Sequence, residues 1–149
     1  MIDYHDWGER PIPEIDPESE EYWNAANDGD LLVQRCESCS ERQLYPRAVC
    51  RHCWSRDLSF EHDDGTGVVY SFAENHVPGH PTFDDETPYV VALVELDLPD
   101  ENPSSRPVRL TTHIVDCALE DIEIGLPVTV AFRQISDDPE VHLPVFTPL

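Results

Sequence analysis

Two cysteine pairs constrain the fold of this chain more than any other feature of its sequence. The pattern is Cys36-x2-Cys39-x10-Cys50-x2-Cys53. Each CxxC segment can form a tight knuckle, and two knuckles offer four sulfurs to one tetrahedral ion with metal–sulfur bonds of ~2.3 Å. The pattern predicts a zinc site, and four thiolates leave no position for water, so the ion would be structural. Iron in a rubredoxin-like site is the main alternative, and a redox-active CxxC pair is a weaker one.

The net charge indicates an unusual solvent environment. The chain has 149 residues, of which 31 are acidic, nine are arginine and none is lysine, and its formal net charge is −22. The acidic residues are spread along the chain, which favours a surface adapted to multimolar salt, as in halophilic proteins, over a disordered acidic segment. No apolar run approaches the ~18 residues of a membrane span. The N-terminus also lacks the basic and apolar regions of a secretory signal, so we expect a cytoplasmic protein.

The arginines are concentrated around the cysteines. Residues 31–56 contain five of the nine arginines and only two acidic residues, a formal charge of +3 that leaves −25 for the rest of the chain. Two interpretations stay open: these arginines pair with nearby acids and stabilise the thiolates, or they bind an anionic group. The fifth cysteine, Cys117, lies outside this module, and we interpret it as a small buried hydrophobic residue rather than a nucleophile.

The hydrophobic pattern predicts a mainly β chain with a short N-terminal helix. Asp16-Pro17 is typical of a helix start, so the helix should run from Pro17 to about Asn27. Apolar alternation after the cysteines predicts five strands: Val68–Val77, Tyr89–Asp97, Val108–Val115, Val128–Ile135 and Val141–Phe146. Short strands with one apolar face favour a small closed barrel, with a β-sandwich as the alternative. We expect an N-terminal arm and helix over residues 1–30, a zinc ribbon over 31–62 and the barrel over 63–149.

One predicted strand is apolar on both faces at its start. Tyr89, Val91 and Leu93 share the face opposite the one that would fill the barrel. Something must therefore cover this outer face. The N-terminal helix, through Tyr22 and Trp23, is one candidate and a partner subunit is the other.

Several segments carry a resemblance to a known family. They are Glu21–Ala25 before the cysteines, Leu31–Cys36 leading into them, Tyr45-Pro46-Arg47 between the knuckles, and Gly65–Phe72, Pro88–Leu96, Ile124–Val130 and Pro144–Phe146 in the barrel. Together they resemble the acyl-CoA-associated OB-fold proteins with a rubredoxin-like zinc ribbon, long catalogued as a domain of unknown function. The resemblance covers about residues 17–149. Two features depart from it: Ser40 stands where a glycine often follows the first knuckle, and the 98–107 loop is longer than expected.

This resemblance implies a fold and a function. The fold would be a rubredoxin-like zinc ribbon followed by a five-stranded OB-fold barrel. The chain would be a non-catalytic accessory subunit that docks on a thiolase-fold enzyme, such as a thiolase or an aldolase, near its acyl-CoA entrance. Acyl-CoA would be a shared ligand. Arg47 and Arg51 are then the best candidates for contacts to a CoA phosphate or to acidic residues of the partner.

Two other functions compete with this expectation. OB-folds and zinc ribbons also bind nucleic acid, but a net charge of −22 opposes the basic groove that such binding needs. The second alternative is an independent enzyme, but no nucleophile–base motif in the sequence supports it. Its candidates are His76, His80, His113 and the Asp84-Asp85-Glu86 run.

Overall fold

Eight β-strands in two antiparallel sheets form the framework of the described chain, a computed structural model covering residues 2–98 and 106–149. The elements are α1 (Glu20–Asn27), β1 (Leu31–Cys36), β2 (Arg42–Gln43), β3 (Leu58–Asp63), β4 (Thr66–Asn75), β5 (Tyr89–Leu96), β6 (Arg109–His113), β7 (Pro127–Asp137) and β8 (Glu140–Pro148). Short 3₁₀ helices cover Pro81–Glu86 and Leu119–Asp121. Most of the long loop noted above, residues 99–105, lies outside the described residues. Within the described ranges, no helix has both the length and the apolar character that crossing a membrane requires.

The first sheet carries the cysteine module. Its strand order is β2-β1-β3, and β1 pairs with β3 along its whole length, from Leu31 opposite Asp63 to Cys36 opposite Leu58. Leu31 and Val33 are buried on one face of β1, and Gln34 and Cys36 are buried on the other. This sheet fixes the first cysteine at the end of a paired strand.

The second sheet closes into a barrel. Its strand order is β6-β5-β4-β7-β8. The two outer strands meet just beyond β6, where Ile114 forms a parallel bridge to Phe146 and the Val115 N–H donates to the Phe146 carbonyl at 2.8 Å. The five predicted strands correspond to β4–β8, and the closed barrel rather than the sandwich is correct.

A glycine permits a close approach between β4 and β5 in this barrel. A Cβ at Gly67 in β4 would collide with the backbone carbonyl oxygen of Glu95 in β5. A backbone atom held in a ladder cannot move aside as a flexible side chain would. The interior beside it is filled by residues with no exposed surface, such as Val69, Val94 and Val128.

The helix begins later than the sequence predicts. The predicted start at Pro17 is wrong, because residues 17–19 form a turn and α1 starts at Glu20. The Asp16 carboxylate accepts the Ser19 N–H at 2.9 Å, and the Asp16 carbonyl accepts it as well at 3.1 Å. Such an aspartate side-chain bond favours a turn over a helical first residue.

The N-terminal arm, which was neither of the two candidates for this role, covers the outer barrel face around Tyr89. Tyr4 stacks on Trp7 with ring centroids 6.0 Å apart, Trp7 meets Phe83 edge-on at 5.7 Å, and Phe83 lies 5.8 Å from Tyr89. Tyr89 is consequently buried, whereas Leu93 is still 36% exposed. The hydrophobic pattern did not predict that the aromatic residues of this arm form a second hydrophobic cluster with the barrel.

An arginine secures the arm to the barrel. The Arg10 guanidinium lies 4.6 Å from the centroid of the Phe83 ring and pairs with the Glu86 carboxylate at 2.8 Å. Its Nε also donates to the Thr82 carbonyl at 3.1 Å. Because Glu86 is engaged here, the acidic run at residues 84–86 serves in part to hold the arm.

Candidate metal centre and the arginine loop

The four predicted cysteine ligands converge on one point. Their sulfur atoms all lie within 4.8 Å of one another, with 3.5 Å between Cys36 and Cys53 and 3.7 Å between Cys39 and Cys50. A tetrahedral ion with metal–sulfur bonds of ~2.3 Å separates its ligands by about 3.8 Å. The observed spacing therefore fits a single tetrahedral ion.

The two knuckles repeat the same backbone hydrogen bonds. In the first, Ser40 N–H donates to the Cys36 carbonyl at 2.9 Å, and in the second Trp54 N–H donates to the Cys50 carbonyl at the same distance. Ser40 and Trp54 both have left-handed backbones, with φ of 66° and 68°. This conformation explains why a glycine often occupies the first of these positions.

The electrostatics of the thiols favour a bound cation. Burial raises the pKa of Cys36, but the N–H groups of Cys39 and Ser38 outweigh it and lower that pKa to about 7. Burial raises the pKa of Cys39 to about 12, assisted by hydrogen bonds to the neighbouring thiols. Four adjacent sulfurs cannot all ionise without positive charge between them, which a divalent ion supplies.

Two buried glutamines fix the loop between the knuckles. The Gln34 side chain donates to the Arg47 carbonyl at 2.9 Å and accepts the Arg47 N–H at 3.0 Å. Gln43 accepts the Arg51 N–H at 2.9 Å and donates to Gln34 at 2.6 Å. Both glutamines are at most 4% exposed. The backbones of the two candidate arginines are therefore held by side chains that sequence analysis did not single out.

The arginines of the module fall into two groups. Arg35 lies 3.9 Å from Glu37, and the buried Arg42 pairs with Glu61. By contrast, the exposed side chains of three arginines have no carboxylate within 4.0 Å among the residues that the structure describes. These three are Arg47, Arg51 and Arg56. Acid pairing thus accounts for two of the five ribbon arginines and leaves three that have no acidic partner among the described residues.

A further arginine approaches the same loop from the barrel side. Arg106 N–H donates to the Glu41 carboxylate at 2.9 Å, and Arg51 Nε lies 3.5 Å from His52 Nε2. Burial, the charge of Arg106 and the charge of Arg51 lower the pKa of His52. Arg106, which sequence analysis did not assign, therefore adds positive charge beside Arg51.

The candidate catalytic residues do not form one site. His76 pairs with Glu74 at 3.2 Å, His80 binds Thr82 at 2.7 Å at the start of a 3₁₀ helix, and His113 meets Tyr4 at 2.7 Å. Each histidine has a different partner, and no hydrogen bond among the described residues joins one of these histidines to another. Cys117 is only partly buried, which corrects the expectation of a fully buried residue, and its thiol donates to the Ala118 carbonyl at 3.4 Å.

Models of two protein domains match most of the chain. One, described as the rubredoxin-like zinc ribbon domain of ChsH2, matches residues 23–59. The other, described as the C-terminal OB-fold domain of ChsH2, matches residues 63–133. The first match contains β1 and β2, and the second runs from the end of β3 into β7.

Three curated relatives are similar to the chain. "DUF35 domain-containing scaffold proteins" of Methanocaldococcus jannaschii and Methanothermobacter thermautotrophicus are 34% and 31% identical to it. Those matches cover 72% and 74% of this chain and 71% and 77% of the relatives. A "probable enoyl-CoA hydratase alpha subunit" of Thermomonospora curvata is 41% identical over 93% of this chain. The chain spans only 40% of the length of that relative.

Solved structures agree with these relationships. A chain of an "Ltp2-ChsH2(DUF35) aldolase" is similar with a TM-score of 0.74 and 39% identity, covering 92% of this chain and 98% of that one. A protein of unknown function from the DUF35 family of Sulfolobus solfataricus has a TM-score of 0.58 at 15% identity, with 89% and 86% covered. The second similarity concerns the fold alone.

Proposed function

The chain belongs to the DUF35 family, with a ChsH2-type zinc ribbon and OB-fold, and we propose that it is a non-catalytic subunit of a thiolase-fold acyl-CoA enzyme. The observation that carries this proposal is the similarity to a chain of an Ltp2-ChsH2(DUF35) aldolase over nearly the whole of both chains. In this role the subunit docks on the enzyme and assists the binding or channelling of acyl-CoA. A thiolase or an aldolase is the expected class of partner.

We further propose that the four cysteines hold one structural Zn²⁺. The supporting observation is the sulfur spacing of 3.5–3.7 Å within each close pair. A complete set of thiolates is typical of structural zinc sites, whereas catalytic sites keep one position for water. When bound, the ion would cross-link the two knuckles and offset part of the negative charge of their thiolates. The knuckles would then hold the intervening loop in a fixed position on the ribbon surface.

Arg47 and Arg51 are proposed as the contacts to an anion. Both side chains are exposed, and the glutamine network holds their backbones. Such preorganisation reduces the entropy lost when a side chain binds a ligand. Guanidinium groups bind phosphates and carboxylates through paired, charge-assisted hydrogen bonds. A phosphate of acyl-CoA or an acidic patch of the enzyme therefore suits this loop.

The test is co-expression with thiolase-fold acyl-CoA enzymes of the source genome, beginning with any encoded next to this chain. We expect co-purification in multimolar KCl and an acyl-CoA cleavage or condensation activity that depends on both chains. The proposal would be rejected if no complex with such an enzyme forms, or if the enzyme is fully active without this subunit.

The residue assignment has its own matched test. Arg47→Ala and Arg51→Ala should weaken the complex or raise KM for acyl-CoA, because each removes a charge-assisted contact of ~1.5–3 kcal/mol. Arg56→Ala removes the same charge from the same ribbon without touching the clamped loop, and it should behave like the wild type. Equal effects of all three substitutions would indicate a general charge effect and reject the specific role of the loop.

A further inference from the structure

Two apolar cavities adjoin at His113. One, of about 240 Å³, lies beneath the N-terminal arm and includes Tyr4 and Tyr89 in its wall. The other, of about 200 Å³, lies where α1, the ribbon and the barrel meet, and we call it the junction cavity. Its lining includes Tyr22, Trp23, Tyr45, Thr111, His113 and Leu143. The shared histidine is the imidazole that sequence analysis considered only as a candidate base.

Tyr4 sets the tautomer of this histidine. Burial lowers the pKa of His113 to about 4, so the ring is neutral at pH 7. Burial also raises the pKa of Tyr4, whose hydroxyl lies 2.7 Å from His113 Nδ1. Among the described residues, His113 Nδ1 is the atom that can accept the proton of the Tyr4 hydroxyl. Tyr4 therefore donates to Nδ1, and His113 carries its proton on Nε2.

The Nε2–H group is left without an acceptor. Among the described residues no hydrogen bond involves His113 Nε2. Nδ1 is occupied by Tyr4, which lies in the wall of the first cavity. Nε2 is therefore the ring nitrogen that remains available to a ligand in the junction cavity. The ring thus offers one fixed donor to a largely apolar space.

One polar group in this wall is buried and lacks a hydrogen-bond partner among the described residues. Tyr22 is 1% exposed, and its buried hydroxyl has no hydrogen-bond partner within residues 2–98 and 106–149. Leaving a buried hydroxyl unpaired destabilises a folded protein, so such groups call for an explanation. An apolar cavity with a few convergent polar groups is the usual form of a small-molecule site.

We propose that the junction cavity binds the apolar part of an acyl group that carries a carbonyl oxygen, with the Nε2–H of His113 donating to that oxygen. The inference rests on the proposed acyl-CoA function and adds to it which part of the ligand this chain holds. The cavity wall contains no arginine, and the chain has a net charge of −22. A neutral ketone or thioester carbonyl therefore fits better than a carboxylate, which would be buried without a cation.

The experiment uses the chain alone with three probes of equal carbon number: 2-hexanone, hexane and hexanoate. Binding is followed by NMR, with the His113 ring nitrogens and the backbone amides of Thr111 and Leu143 as reporters. We expect 2-hexanone to bind more tightly than hexane or hexanoate and to shift the Nε2 resonance. His113→Phe should weaken 2-hexanone binding about three- to tenfold, the worth of one hydrogen bond, and leave hexane binding unchanged.

A companion variant guards against misfolding. His113→Phe leaves the Tyr4 hydroxyl without its acceptor, so the double variant Tyr4→Phe/His113→Phe removes both polar groups and should fold with the same probe preference as His113→Phe. Equal affinity of the wild type for 2-hexanone and hexane would overturn the inference. A bound water at Nε2 that no probe displaces would overturn it as well.

Complex formation with a thiolase-fold enzyme is measured separately. Probe binding without any complex would preserve this cavity site and reject the proposed function. A complex whose free subunit binds no ketone would reject this inference alone.

Discussion

The hydroxyl of Tyr45 in the ribbon forms two hydrogen bonds to the backbone of Thr111 in the barrel. It donates to the Thr111 carbonyl and accepts the Thr111 N–H, both at 3.0 Å, across 66 residues of sequence. Thr111 lies in the middle of β6, whose opposite side is paired with β5. One side chain thus satisfies the outward backbone groups of an edge strand and joins the two modules.

Tyr45→Phe should loosen this junction. We expect the variant to lose about 1–2 kcal/mol of unfolding free energy, since two net hydrogen bonds are removed at a partly exposed site. Amide hydrogen exchange at Thr111 should accelerate, because its N–H loses its acceptor. Tyr70→Phe is the matched control, since Tyr70 is similarly exposed on the barrel. Unchanged exchange at Thr111 would show that the contact does not hold the modules together.

Removal of one proposed metal ligand should release the ion. Cys36→Ser should lower the zinc content from one ion per chain towards zero and unfold the ribbon, because metal binding and folding are coupled in such small modules. Elemental analysis and the NMR signals of residues 31–62 report the two effects. Cys117→Ser changes the same atom outside the module and should keep its zinc. Native protein that contains no zinc would reject the metal assignment.

The sequence predicted those features that depend on local patterns. The spacing of the cysteines predicted that their four sulfur atoms lie together, and the alternation of apolar residues predicted β4–β8. Features set by distant contacts were missed: the arm packs Trp7 on Phe83, and Gln34 clamps Arg47. A glutamine in a strand gives no sign that it will be buried against a loop. The late start of α1 has a local cause in the Asp16–Ser19 hydrogen bonds. It was still missed, because Asp16-Pro17 is compatible with both a turn and a helix cap.

Gly67→Ala should destabilise the barrel. The added methyl group would collide with the Glu95 carbonyl oxygen, and the two paired strands would have to separate locally. We expect a loss of about 1–3 kcal/mol, the range for overpacked positions. Thermal unfolding checks this. Gly79→Ala is the control, since its nearest atom beyond the adjoining residues is the Tyr89 hydroxyl at 3.9 Å. Equal melting temperatures for the two variants would contradict the prediction.

Acidification should weaken the fold partly through His113. Its folded pKa of about 4 lies below the value of 6.5 expected when unfolded, so the unfolded state binds more protons between these limits. The resulting stability is present above pH 6.5 and is lost as the pH falls towards 4, by up to about 3 kcal/mol. His113→Phe should therefore lose less stability than wild type over this range. Identical pH profiles for His113→Phe and the wild type would refute the assignment.

Salt should stabilise this protein far beyond physiological ionic strength. With 31 acidic residues and nine arginines, most carboxylates have no cation to pair with, and their mutual repulsion opposes the compact state. At ~0.15 M salt the screening length is still ~8 Å, and it falls to ~3 Å only near 1 M. We therefore expect the melting temperature to keep rising with KCl from low to multimolar concentrations. Below pH 4.5, where many carboxylates are protonated, the same KCl series should give a smaller rise because the repulsion is already reduced. A melting temperature that is flat in KCl at neutral pH would mean that the acidic surface is not an adaptation to salt.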